Sequence, residues 1–168
     1  MKLQSEDMAA MTNDDFIRRA EALRPVLYRV CRVQLSVSAD REDAIQEAVF
    51  RAWNKRDTLR DARYFNTWLI RILINTCHDI RRRRRQDVLT DAPPEPPGND
   101  DPRLAALRDA LNALNDRQRL CVLLHYIEGY EVREVAKMLG IGESAVKLRL
   151  LRGRKRLREL LSEEVFVR

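Results

Sequence analysis

The sequence predicts an all-α protein of two small helical domains joined by a flexible, acidic, proline-rich linker, the second domain ending in a helix-turn-helix. Three observations lead there. The 168 residues hold only 6 Pro and 5 Gly, too few for an all-β chain full of turns. A composition 45% hydrophobic and 35% charged can bury a core while suiting helices with one wet face, and it excludes disorder throughout. Apolar residues recur at helical spacing on both sides of one proline-rich strip.

Residues 1–13 read as a disordered amino end without an apolar run of signal-peptide length. No stretch elsewhere approaches the roughly 18 apolar residues of a membrane span, so a soluble, cytoplasmic protein without membrane insertion is expected. The first domain, 14–85, opens with a stripe of Phe16, Ile17, Leu23, Leu27, Val30 and Cys31. A second stripe follows at Ala44, Ile45, Ala48, Val49, Ala52 and Trp53, with Asp40, or Ser38 before it, as the expected N-cap. The third places Tyr64, Phe65, Trp68, Leu69, Ile72, Leu73, Cys77 and Ile80 on one face and runs directly into five arginines, a cationic carboxyl end that suits the helix dipole.

Residues 86–102, QDVLTDAPPEPPGNDDP, hold five of the six prolines and five acids with no basic group, a composition that favours an extended linker over a packed core. The second domain, 103–168, begins with Leu104, Leu107, Leu111 and Leu114 and continues through LCVLLHYI. Val132, Val135, Ala136 and Leu139 then make a short helix stopped by Gly140. Gly142 or Ser144 starts another, whose inner stripe is Val146, Leu150, Gly153, Leu157 and Leu160. Two helices joined by a tight glycine turn form a helix-turn-helix, with Ala136 small where they cross.

The net charge of +6 says only that an acidic partner is possible, but its distribution says more. Residues 1–85 carry 18 basic and 12 acidic groups and residues 103–168 carry 14 and 9, so two basic blocks flank the acidic strip. Between Lys147 and Arg158 stand seven cations (Lys147, Arg149, Arg152, Arg154, Lys155, Arg156, Arg158) and no acid. A merely solvated helix face interleaves acids for i, i+4 pairing; a helix that enters the major groove needs free first turns for base edges and later cations for phosphate. The tract Arg81, Arg82, Arg83, Arg84 and Arg85 fits a localisation signal, a solvated tail or a phosphate clamp. Asn75, Thr76, His78 and Asp79, with Trp68 as a candidate exposed aromatic, favour the clamp, because amide, hydroxyl and aromatic groups beside fixed cations are the equipment for unstacked bases. Core packing is the expected role for two of Tyr64, Phe65 and Trp68.

No catalytic constellation is visible, and an enzyme is not expected. His78 and His125 lie 47 residues apart, and no metal-ligand spacing, phosphate loop or nucleophile motif occurs, so neither metal nor cofactor is expected. Cys31, Cys77 and Cys121 are far apart in the chain and read as reduced core residues.

Three segments, DREDAIQEAVFRAW (40–53), WLIRILINTCHDIRRRRR (68–85) and EVAKMLGIGESAVKLRLLRGRKRLREL (134–160), together resemble the extracytoplasmic-function (ECF) group of bacterial RNA polymerase sigma factors. Their order and spacing agree too, so the resemblance covers nearly all of the chain after residue 14. It implies an alternative sigma factor whose first block is sigma domain 2 and whose second is domain 4, bound to core RNA polymerase at the β′ clamp helices and the β subunit flap. Asp43, Gln46, Glu47 and Phe50 match the clamp-helix surface, and an acidic, amide-bearing face complements a basic coiled coil. Asn75 matches the reader of a flipped −10 base, with Trp68 and Asp79 nearby and Arg81 to Arg85 holding the single strand. Ser144, Ala145, Lys147, Leu148, Arg149, Arg152, Arg154 and Arg156 match the −35 duplex surface. An anti-sigma factor is implied as a further partner, and the linker is implied to pass through the active-centre cleft.

Departures from the family pattern have consequences. Trp68 is followed by Leu69 where primary sigma factors have paired tryptophans, so melting should depend more on promoter sequence. Ala145 and Leu148 replace two hydroxyl residues of the recognition helix, leaving apolar contact, for instance to a thymine methyl. Glu131 stands where the family often has a capping Ser. The competing classes are a dimeric regulator of the response-regulator type and a sigma-sequestering protein. The first is opposed by the lack of strand-helix alternation before the linker, the second by the seven cations of the last helix.

Overall fold

The computed structural model describes the backbone of residues 11–86 and 102–165, and the side chains of 11–85 and 105–161. Among these residues every regular element is helical, in two compact units, Met1–Leu89 and Thr90–Arg168. Of the expected linker, 86–102, Gln86 ends one helix and Pro102 begins another, and of the expected disordered amino end Asn13 is already helical; residues 87–101 and those before residue 11 lie outside the described residues.

In the first unit, α1 (Asn13–Gln34), α2 (Ser38–Asn54) and α3 (Phe65–Gln86) surround one core. Thr12 caps α1 by accepting from the Asp15 N–H at 3.2 Å. Phe16, Leu23, Leu27, Val30 and Cys31 point inward as expected, but Ile17 is 56% exposed, because it lies about 100° round the helix from Phe16. On α2 the buried stripe is Ala44, Ile45, Ala48 and Ala52, and three alanines at i, i+4 and i+8 let α3 approach closely. Phe65, Leu69, Ile70, Leu73, Ile74 and Cys77 supply the facing surface. Phe16 meets Trp53 and Phe65 edge-on, with centroids 5.2 and 5.5 Å apart.

Neither Asp40 nor Ser38 is the N-cap of α2. That position belongs to extended Val37, whose side chain makes no capping bond, and Ser38 is the first helical residue. Asp40 instead accepts the Arg84 guanidinium at 2.6 Å, the stronger charge-assisted partner. The turn before α2 is held by Arg41, which is buried and donates from Nε to the Leu35 carbonyl at 2.8 Å and from Nη2 to that of Ser36 at 2.9 Å.

The second unit contains α4 (Pro102–Asn112), α5 (Asp116–Val122), a π turn over Leu123–Ile127, α6 (Val132–Leu139) and α7 (Glu143–Val165). Asn115 caps α5 through the Gln118 N–H at 2.9 Å, and Arg119 donates to the carbonyls of Leu111, Asn112 and Leu114, closing the end of α4. Leu107, expected inside, is exposed. The Glu131 N–H donates to the Glu134 carboxylate at 2.9 Å, so the acid at this position begins α6 within a capping box. Gly140 ends α6 in the left-handed region at φ 65°, where a side chain would be strained, and the Ile141 N–H closes on the Ala136 carbonyl at 3.1 Å. Gly142 starts α7, its carbonyl taking the Ala145 and Val146 N–H groups. Val146, Leu150 and Gly153 form the buried stripe of α7, and a Cβ on Gly153 would come within 3.1 Å of Val122 Cγ2 on α5.

Candidate nucleic-acid interface

The outward face of α3 carries Asn75, Asp79 and Arg82 at i, i+4 and i+7, with Trp68 seven residues before Asn75 on the same side. Asn75 and His78 are exposed, and Trp68 is half-buried, its ring tilted against Phe65 at 6.1 Å. Of its aromatic neighbours, Phe65 is fully buried and Tyr64 is 46% exposed, so core packing claims Phe65 and part of Trp68. Partial desolvation of the ring, and then the Arg81 charge, push the His78 imidazole below its ordinary 6.5. Arg82, Arg83, Arg84 and Arg85 are exposed and Arg81 is half-buried.

Two of these arginines are tethered by acids. Arg84 is paired with Asp40 on α2, and Arg82 Nη2 donates to Asp79 Oδ1 at 2.5 Å. The other Asp79 oxygen accepts Arg51 Nη1 at 3.0 Å, while Arg51 Nε donates to Glu47 at 2.7 Å. The hydrogen bond from Arg51 chiefly, and that from Arg82, hold the Asp79 carboxyl below its ordinary 3.8. Sequence reasoning assigned Asp79 and Glu47 but missed Arg51. Its Glu47 partner is visible as an i, i+4 pair, whereas Asp79 is 28 residues away.

On α2, Asp43, Gln46 and Phe50 are exposed and Glu47 is half-buried against Arg51, so the four assigned residues form one outward stripe. Phe50, 61% exposed, stands with Ile17 over an apolar groove of about 450 Å³ between α1 and α2, with Phe16 and Trp53 in its lining and Gln46 beside them.

In the second unit α7 presents Ser144, Lys147, Leu148, Leu151, Arg152, Arg154, Lys155, Arg156 and Arg158 to solvent. Leu151, 56% exposed, was not anticipated, although it stands one turn after Lys147. Ala145 is half-buried. So is Arg149, whose guanidinium meets Cys121; burial pushes that thiol up, and Arg149 offsets part of the rise. Lys147 and Arg152 are therefore freer to reach a duplex than Arg149.

Comparison with known proteins accounts for both units. Residues 20–87 match the model of sigma-70 region 2, and residues 104–157 match that of sigma-70 region 4. The chain is 35% identical to the ECF RNA polymerase sigma factor SigM of Mycobacterium tuberculosis over 139 residues, covering 80% of this chain and 71% of that one. It is 32% identical to the RNA polymerase sigma-E factor of Streptomyces coelicolor over 152 residues, covering 88% and 86%. Among solved structures, the sigma factor RpoE in complex with the anti-sigma factor NepR from Bartonella quintana is similar at a TM-score of 0.76 and 26% identity, over 89% of this chain and 98% of that one. CnrH, solved with the cytosolic domain of CnrY, is similar at a TM-score of 0.67 and 25% identity, over 90% of each chain.

Proposed function

Since the chain belongs to the sigma-70 family of RNA polymerase sigma factors, in its ECF group, we propose how its residues divide the work of transcription initiation. As an alternative sigma factor it binds core RNA polymerase and directs the enzyme to promoters. The α2 stripe of Asp43, Gln46, Glu47 and Phe50 docks on the β′ clamp helices, acids and amide against a basic coiled coil with Phe50 as the apolar anchor. The α3 face reads the −10 element as a single strand: Trp68 supports the unstacked bases, Asn75 offers donor and acceptor to a flipped base, and the Arg81 to Arg85 tract grips phosphates. The helix-turn-helix reads the −35 duplex, with Ser144, Lys147, Leu148 and Arg152 toward base edges, Ala145 and Arg149 beside them, and Arg154 and Arg156 toward phosphate. The second unit also meets the β flap. By likeness to RpoE, solved in complex with the anti-sigma factor NepR, an anti-sigma factor is a partner that covers the polymerase-binding surfaces.

The observation that carries this reading is the pairing of a single-strand kit on α3 with an acid-free cationic run, Lys147 to Arg158, on α7. Reconstitution with core polymerase and transcription from a promoter library tests it. The parent chain should assemble and initiate at promoters with both elements, and Asp43→Ala with Gln46→Ala should weaken assembly by about 2 kcal/mol while both units stay folded. Parental assembly by that double variant would move the docking surface elsewhere.

A further inference from the structure

Four charges of alternating sign run from the outer stripe of α2 to the carboxyl end of α3: Glu47, Arg51, Asp79 and Arg82. The joining bonds measure 2.7, 3.0 and 2.5 Å. Their order has a chemical consequence, because Arg51 and Arg82 occupy both oxygens of Asp79. A carboxylate so engaged is poorly placed to accept from a base. It is well placed to hold Arg82, which sits on the face of Asn75 and keeps 72% of its side chain exposed. A guanidinium has five N–H donors, so the edge that grips Asp79 leaves others free for a phosphate or base edge.

We propose that Arg51 is a positioning residue: it fixes Asp79, and Asp79 in turn presents Arg82 to the −10 strand in register with Asn75, so that the Arg51–Asp79 pair sets −10 sequence preference. This rests on the reading of α3 as the strand-binding helix. Exposed ion pairs contribute little to stability, whereas a tethered arginine has less freedom to lose when it grips its target. The planar fork is essential: Nε of Arg51 serves Glu47 while Nη1 serves Asp79, a span that the single ammonium of lysine does not reproduce.

The signs separate positioning from simple electrostatics. An acid beside the phosphate path repels any strand, so Asp79→Asn should hold or raise affinity for single strands of every sequence. If Asp79 positions Arg82, the same change lowers discrimination. The experiment reconstitutes holoenzyme with the full chain and measures transcript yield from a library randomised over the −10 element, alongside binding of single-stranded oligonucleotides. Asp79→Asn and Arg51→Lys should each flatten the −10 preference by about tenfold, and the double variant should be no flatter than Asp79→Asn alone, as for members of one network. Preference retained by either single variant, or effects that simply multiply, would overturn the proposal. Asn75→Ala in the same library keeps the two levels apart. If Asn75→Ala leaves the preference intact, the reading of α3 itself falls. If it flattens the preference while the other two do not, only the positioning role falls.

Discussion

Asn75 projects from α3 with its amide claimed by no described residue, an inexpensive state for an exposed group and a useful one for a base reader. Asn75→Ala should leave polymerase and −35 duplex binding near parental levels and depress open-complex formation by about 5-fold to 150-fold, varying with the −10 base. If Trp68 acts as a wedge, a premelted template should rescue Trp68→Ala more fully than Asn75→Ala. Equal rescue in a permanganate-footprinting assay would count against a reading role for the amide. Asp79 allows a prediction of a different kind. Its carboxyl is depressed below 3.8, chiefly by Arg51, so the ionised form stabilises the fold above that value and the contribution is lost as pH falls through the lower folded value. Urea denaturation across an acid series should therefore show the parent losing more stability than Asp79→Asn below about pH 4. Parallel profiles would mean that the bridge contributes nothing in solution.

At the level of elements, the helix-turn-helix depends on the register between α5 and α7, and Gly153 sets how closely they approach. Alanine there gains roughly 1 kcal/mol of helix propensity. Against that gain, the new methyl meets Val122 Cγ2 at 3.1 Å, and Val122 is buried and stiff about χ1. Overpacking of this kind costs about 1–3 kcal/mol, so Gly153→Ala should lower the stability of the second unit by about 1 kcal/mol, read as a reduced thermal or urea midpoint. A raised midpoint would show that α5 yields without strain. The close approach has a functional side: α7 carries the cationic run, so its seat on α5 fixes where Lys147 and Arg152 project.

Over the whole molecule, each unit contains its own buried thiols: Cys31 and Cys77, with sulfurs 3.8 Å apart, in the first and Cys121 in the second. The hydrogen-bonded Cys77 neighbour and burial push the Cys31 thiol far up, and burial raises Cys121. A thiol reagent should therefore label the native chain only as each unit opens, in two phases followed by mass spectrometry, one for the pair and one for Cys121. Labelling at the rate of free cysteine in native buffer would contradict this packing.

Much of this was written locally in the chain. The helical repeats from Phe16, Ala44 and Phe65, the stop at Gly140, the acid-free run from Lys147 to Arg158 and the resemblance in three segments depend on neighbours within a few turns, so periodicity and local chemistry reveal them. A helical repeat says which face is buried, not which partner covers it. The arginine tract was visible, but not that Asp40 would tether Arg84 from 44 residues away, nor that Arg51 would bridge Glu47 to Asp79 across 28. Asp40 left the cap for the same reason: once the alanine stripe of α2 seats on α3, a guanidinium becomes the nearest and strongest partner its carboxylate can find. Ile17 faces solvent and Gly153 faces Val122 because packing chose one azimuth of each helix among several that its sequence allows.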